Sequence, residues 1–210
     1  MRVTTGQLRR IVLNPDKFVD DANVRGDEPR SFRNSQRDWM EASWKVYFKS
    51  GRLESALWGC FHRAVANGNQ NSRRAALAAG ATPMLEHFLI LDERELDEPL
   101  ICCPRLTDRA WSGHTLSVKR DLIYAASGGY RVRLLWTDQD LRVAHPDAGL
   151  MAAAALAHCE AELGLGLVRS VEVWQLRHRR ERTWGRTEIE SEFPRLLQRL
   201  NDVEEALRPS

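Results

Sequence analysis

Asp121 and His62 are the first side chains that could do chemistry, a carboxylate in a β-forming run and an imidazole on a helical segment. Asp121 interrupts a β-forming run, LSVKRDLIYA, and Asp138 and Asp140 lie just beyond the next such run. Carboxylates so placed supply the oxygen ligands that a hard divalent cation requires. Lys119 and Arg120 precede Asp121 and set positive charge beside it in the sequence. His62 shares a helical segment with Leu57, Phe61 and Val65. A hydrogen-bonded structural histidine fits that pattern as well as a metal ligand does. A neighbouring arginine or an edge position would likewise account for Asp121, whose burial without partners would be costly.

Phosphate binding is the second chemistry within reach. Arg131 and Arg133 alternate with Val132 and Leu134, so both arginines project from one face of a strand. Their planar forks suit phosphate oxygens, and they suit acidic residues of a covering helix equally well. The densest basic cluster is RHRRERTW, residues 177–184, in which Arg177, Arg179, Arg180 and Arg182 precede Trp184. It reads as a loop beyond a strand, either a nucleic-acid footprint with a steep salt dependence or an ordinary solvated arginine-rich loop. Of the seven tryptophans, Trp58, Trp136 and Trp174 sit in periodic segments and are expected in the core. Trp111 and Trp184 fall in expected loops, where they could stack on bases or meet a partner.

Other chemistries lack their minimal groups. The sequence contains no GxGxxG after a strand, no GxxxxGK[ST], no HExxH and no GxSxG. Its four cysteines, Cys60, Cys102, Cys103 and Cys159, include no CxxC pair, so they are read as reduced thiols rather than a zinc site or a disulfide framework.

The elements that must position these groups follow from periodicity. Residues 4–22 open with hydroxyl caps, place Leu8, Ile11 and Val12 at helical spacing, and break at Asn14-Pro15, which predicts a short helix and a turn. The stretch from Asn23 to Arg37 is polar and is read as a linker or loop. Two helices are expected between Asp38 and Ala66, parted at Ser50-Gly51. A third runs from Ser72 to about Leu91, with a break or kink at Gly80 and Pro83. After Pro99 come LICC, HTLSVKRDLIYA and YRVRLLWTD, three β-rich runs, the last two joined as a hairpin through Ala126-Ser127-Gly128-Gly129. A helix from Ala148 to Leu163 ends at Gly164. The nearly continuous apolar run 167–176 then predicts a parallel strand buried on both faces. Thr187 to Leu207 carries one apolar stripe and is expected to form a single amphipathic helix.

The expected fold is therefore α/β, a mixed central sheet of about four strands flanked by helices. It is read as one domain over residues 1–210, with 1–95 mainly helical and 96–210 holding the sheet and the C-terminal helix. The 210 residues, 43% hydrophobic and 29% charged, suit an ordinary globular core. A formal charge of +2, from 31 basic and 29 acidic residues, gives no general pull toward nucleic acid or membrane, so any binding surface must be local. No apolar run approaches the ~20 residues needed to span a bilayer, and MRVTTGQLRR lacks the apolar stretch of a secretory signal. A cytoplasmic protein without a membrane role is expected.

This order of segments resembles a PD-(D/E)XK nuclease domain of the RecB-type exonuclease branch, and four stretches carry the resemblance. TTGQLRRIVLNPDKF is similar to the family's Ser-rich start followed by a Cys-Pro before an aromatic, with Asn14 at the place of the cysteine. ALWGCFHRAVA, residues 56–66, resembles the helix that carries a Gly and a His, here Gly59 and His62. Residues 116–138, LSVKRDLIYAASGGYRVRLLWTD, resemble the metal-site hairpin, with Asp121 in place of the first acid. The helix 148–163 and the strand VEVWQLR follow in the family's order.

The resemblance implies a restriction-endonuclease-like fold and also marks a departure. Aligning the family's Thr with Thr137 puts Leu134 at the second acid and Trp136 at the lysine. A catalytically degenerate nuclease fold acting as a nucleic-acid-associated or assembly subunit is therefore expected, its partner DNA, RNA, a protein or a second copy. The alternatives are an active nuclease with a migrated site and an interaction scaffold with no nucleic-acid role. Whether the chain is an enzyme stays open on these residues. No cofactor is expected unless a site has been rebuilt, when Mg or Mn would be held by His62, Asp121 and Asp138 with Lys119 near the water. Asn14 and the absence of any cysteine after Cys159 speak against an iron–sulfur cluster.

Overall fold

A computed structural model describes residues 1–25, 35–67, 72–94, 100–102, 108–118, 121–137 and 142–208. It shows a mixed α/β protein whose backbone divides into two compact units, Met1–Arg30 with Asp97–Ser210, and Ser31–Leu96.

The first unit begins with β1 (Arg2–Thr4), which runs directly into α1 (Thr5–Leu13). The switch is made by a capping box. The Thr4 hydroxyl accepts from the Gln7 backbone N–H, and the Gln7 side chain accepts from the Thr4 N–H at 2.9 Å. Asn14 ends this helix and its Oδ1 accepts from Lys17 N at 3.0 Å, so that Pro15 opens a second helix, α2 (Pro15–Arg25). The expected helix and turn are thus two helices in succession.

Two sheets are present among the described residues. β3 (Arg109–Trp111) and β4 (His114–Ser117) form a tight hairpin, and β1 pairs in parallel with β4. The larger sheet contains β2 (Leu100–Cys102), β5 (Leu122–Ala126), β6 (Gly129–Trp136), β7 (Val168–Gln175) and β8 (Arg180–Gly185), in the order β2-β5-β6-β7-β8. β2, β5 and β6 are antiparallel neighbours, β6 and β7 are parallel, and β8 returns antiparallel to β7. The hairpin between β5 and β6 closes where the sequence placed it, with Ala126 opposite Gly129. The run HTLSVKRDLIYA is not one strand, however. It is split into β4 and β5, which belong to different sheets.

The parallel step from β6 to β7 is made by α6 (Ala148–Leu163). Every residue from Ala148 to Glu160 is buried, and the alanine-rich surface lets neighbouring elements approach closely on all sides. One face of the sheet packs on this helix through Ile123, Val132, Leu134, Val171 and Val173. The expected single C-terminal helix is two, α7 (Arg186–Glu190) and α8 (Phe193–Ala206), parted at Ser191-Glu192 with Pro194 in the first turn of the second. RHRRERTW is likewise corrected: a 3-10 turn over Leu176–His178 leads into β8 rather than into a loop.

The second unit is helical: α3 (Ser35–Lys49), α4 (Glu54–Ala66) and α5 (Ser72–Glu93). Its buried aromatic residues include Trp39, Trp44, Tyr47, Phe61 and Phe88. The turn between α3 and α4 uses Gly51 at φ 73° and Arg52 at φ 65°, the left-handed region that glycine enters freely and arginine does not. α5 continues through Gly80 and Pro83, where a break or kink was expected, so the helix is not broken there. Ala81, Met84, Leu85, Phe88 and Leu91 are buried on both sides of the proline, so tertiary packing outweighs its local cost.

Candidate functional site

The hairpin of β5 and β6 brings Asp121 to the face that carries Leu134 and Trp136. Asp121 is buried, and its Oδ2 accepts from the backbone N–H of Leu135 at 2.6 Å, while its own N–H donates to the carbonyl of Arg133 at 3.1 Å. The carboxylate is an acceptor built into the strand pair. Leu134 is 2% exposed and Trp136 6%, and both belong to the apolar core. Val143, from the segment between β6 and α6, joins the same core. It is clamped from both sides: its N–H donates to the Gln175 Oε1 at 3.1 Å, and its carbonyl accepts from Arg182 at 3.4 Å.

The described residues contain no group of three His, Cys, Asp or Glu side chains able to hold a metal. Lys119, Arg120, Asp138 and Asp140, the residues from which a migrated site would be assembled, lie outside the described residues.

Arg133 is corrected from a surface cation to a core one. It is fully buried, with Nε 2.7 Å and a terminal nitrogen 2.6 Å from Glu172 Oε2 on β7. Its guanidinium lies between two rings, 4.4 Å from the Tyr124 centroid and 3.7 Å from that of Trp174. The acid it meets comes from the adjacent strand, directly opposite in register, and not from a covering helix. Arg131, two residues earlier on the same face, is half-buried.

Arg177, Arg179, Arg180 and Arg182 are exposed around the turn between β7 and β8. Arg177 donates to the Thr137 carbonyl at 3.2 Å, and Arg182 reaches Glu188 at 3.0 Å while lying over the Trp184 ring. Arg179 holds φ 50° at the tip, and neither it nor Arg180 has an ionic or hydrogen-bonded partner among the described residues. Trp184 cannot stack on a base: it is 2% exposed and packed in the core, because β8 turns it inward opposite Val171. Trp111, expected in a loop, is half-buried in β3 against Phe193, ring centroids 5.7 Å apart.

His62 belongs to the helical unit and Asp121 to the sheet-bearing one. The histidine is exposed on α4 and stacks on Trp58 at 6.1 Å, with the rings inclined by 26°. Trp58 is half-buried rather than fully interior, and its indole N–H donates to Glu54 at 2.9 Å. These three residues sit one turn apart on a single face.

Sequence reasoning missed a groove of about 560 Å³ beside them, bounded by Tyr47, Arg52 and Glu54 and by one face of α5. Beneath it, buried Asp92 accepts the Tyr47 hydroxyl at 3.0 Å and pairs with Arg52 Nε at 3.1 Å. Burial, followed by the charge of Asp92 and the hydrogen bond to it, pushes the Tyr47 phenol above its ordinary value. The signal available in sequence was the spacing of Glu86, Leu89, Ile90 and Glu93 on one helical face. No family model matches this chain, and no curated protein matches it.

Proposed function

We propose that the chain is a RecB-like PD-(D/E)XK fold without nuclease chemistry, serving in the cytoplasm as a nucleic-acid-associated or assembly subunit. The observation that carries this reading is the filled face of the hairpin. Leu134 and Trp136 occupy the core positions where the resembled family places an acid and a lysine, and Asp121 is engaged by a backbone N–H. The antiparallel order β2-β5-β6, followed by a helical crossover to parallel β7, supports the same fold.

The exposed arginines at the β7–β8 turn give the nucleic-acid half of the reading its surface. They surround a short projecting connection, where guanidinium groups can reach successive phosphates without base-specific contacts. No helix among the described residues is long and apolar enough to cross a membrane.

The test is cleavage of labelled single- and double-stranded DNA and RNA with Mn²⁺ or Mg²⁺, using wild type, Asp121→Asn and Asp121→Ala. No cleavage is expected from any of the three proteins. Asp121→Ala is expected to lose about 1–3 kcal/mol of stability in urea, because the buried Leu135 N–H is left without its acceptor. Asp121→Asn retains an acceptor oxygen and should lose less. Metal-dependent cleavage that disappears in a folded Asp121→Asn protein would overturn the reading in favour of a rebuilt nuclease.

A further inference from the structure

On α5, Glu86, Leu89, Ile90 and Glu93 follow at intervals of three, one and three residues and form one outward stripe. Ile90 is 53% exposed, large for an isoleucine flanked by a groove. Glu86 and Glu93 are exposed and have no ionic or hydrogen-bonded partner among the described residues. The facing wall is Tyr47, Arg52 and Glu54. Arg52 does not offset the glutamates, because its charge is met from below by buried Asp92. The groove therefore presents uncompensated negative charge over an apolar floor, and it lies at the C-terminal, electronegative end of α5.

The ligand such a groove selects is an arginine-bearing projection. A guanidinium can take two carboxylate oxygens at once while its methylene stem covers apolar surface. This chain displays one. Arg179 and Arg180 project at the tip of the β7–β8 turn, exposed and without partners among the described residues.

We propose that the Arg179–Arg180 tip of one copy docks in the Glu86–Glu93 groove of a second copy. The inference goes beyond the proposed function and does not depend on nucleic-acid binding. The contact is heterologous, so each docked copy keeps a second, unused tip or groove, and assembly continues as a chain or closes as a ring. A net charge of only +2 leaves little general repulsion to oppose it. Because the tip also forms the proposed phosphate surface, a polyanion competes with self-association.

The test is light-scattering mass against protein concentration, on nuclease-treated protein at low ionic strength (about 50 mM salt), where charge pairing is least screened. Wild type is expected to gain mass with concentration and to lose that gain in high salt. Glu86→Arg with Glu93→Arg, and separately Arg179→Glu with Arg180→Glu, are each expected to weaken association by about tenfold or more. Circular dichroism and melting temperature verify that both variants are folded. Mixing the two variants restores opposite charges across the contact and should restore the mass. Monomeric wild type at every concentration overturns the proposal, and points instead to a separate basic protein as occupant. Association unaffected by either reversal, or two folded variants that fail to complement, overturns it as well.

Discussion

Arg133 shows how strongly context decides what a residue is for. Its alternation with Val132 and Leu134 was legible, and so was the pairing of its face with Arg131. Burial was not, because the partner acid, Glu172, lies 39 residues away on a strand brought alongside by the parallel crossover. Replacing only Arg133 by Met leaves the Glu172 carboxylate buried without its cation, an expected loss of about 3–5 kcal/mol. Replacing both, as Arg133→Met with Glu172→Leu, should recover most of that loss, since neither charge then has to be desolvated. Urea unfolding of the wild type, both single variants and the double variant measures the coupling. Tyr47 gives a prediction in pH. Its native phenol ionises at higher pH than an unfolded one, whose value is about 10. The linked stabilisation is thus fully present below about pH 10 and is lost as pH rises through the native value. Tyr47→Phe should flatten this alkaline decline and, by removing one donor from buried Asp92, cost about 1–3 kcal/mol at neutral pH. Urea midpoints between neutral and alkaline pH decide both points.

At the scale of elements, periodicity located most helices and the central hairpin, and it failed where a continuous pattern is cut by topology. LSVKRDLIYA reads as one β-former, yet Ser117 ends β4 in one sheet and Leu122 starts β5 in the other. No residue in that run carries a break signal of the kind that Ser50-Gly51 gives between α3 and α4. The opposite error occurs at Pro83, a strong break signal overridden by a buried stripe on either side of it. The hairpin turn illustrates a constraint that composition alone leaves ambiguous, since Gly128 and Gly129 look equivalent in sequence. Gly128 holds φ 74° and needs glycine for its backbone. Gly129 needs it for space: a Cβ there would sit 2.2 Å from the Leu167 carbonyl oxygen, the acceptor for Tyr130 N–H at 2.8 Å. Gly129→Ala is therefore expected to push β6 from the start of β7 and destabilise by about 1–3 kcal/mol. Gly128→Ala, which strains the left-handed backbone and meets only the flexible end of Arg169, at 3.2 Å, should cost about 1–2 kcal/mol. Chemical denaturation ranks the two, and only Gly129→Ala should raise amide exchange at Tyr130.

Over the whole molecule, charge is nearly balanced, so binding has to be argued from where cations lie rather than from how many there are. The basic cluster at 177–182 was legible as a cluster. Its division into Arg177 and Arg182, which also hold backbone carbonyls, and Arg179 and Arg180, which hold nothing among the described residues, was not. That division predicts the salt dependence of nucleic-acid binding. Replacing both Arg179 and Arg180 by Ser should weaken binding uniformly across sequences and reduce the slope of log K against log salt by about 2. Fluorescence anisotropy with two unrelated oligonucleotides over a salt series measures this. Asp121, Leu134 and Trp136 were legible as neighbours on a hairpin, but the hold on Val143 was not, because its partners Gln175 and Arg182 lie more than 30 residues away.

The packing of Leu134 and Trp136 also acts as a ratchet on sequence change. A carboxylate at 134 and an ammonium at 136 would each enter a buried apolar core, at several kcal/mol apiece against the 5–15 kcal/mol that typically separates folded from unfolded chains. Leu134→Glu is thus a poor stepping stone on its own, because it adds a second carboxylate to the face that already carries buried Asp121. Two codons separate this chain from a charged cleft on paper. In free energy the distance includes a buried leucine and a tryptophan's worth of core.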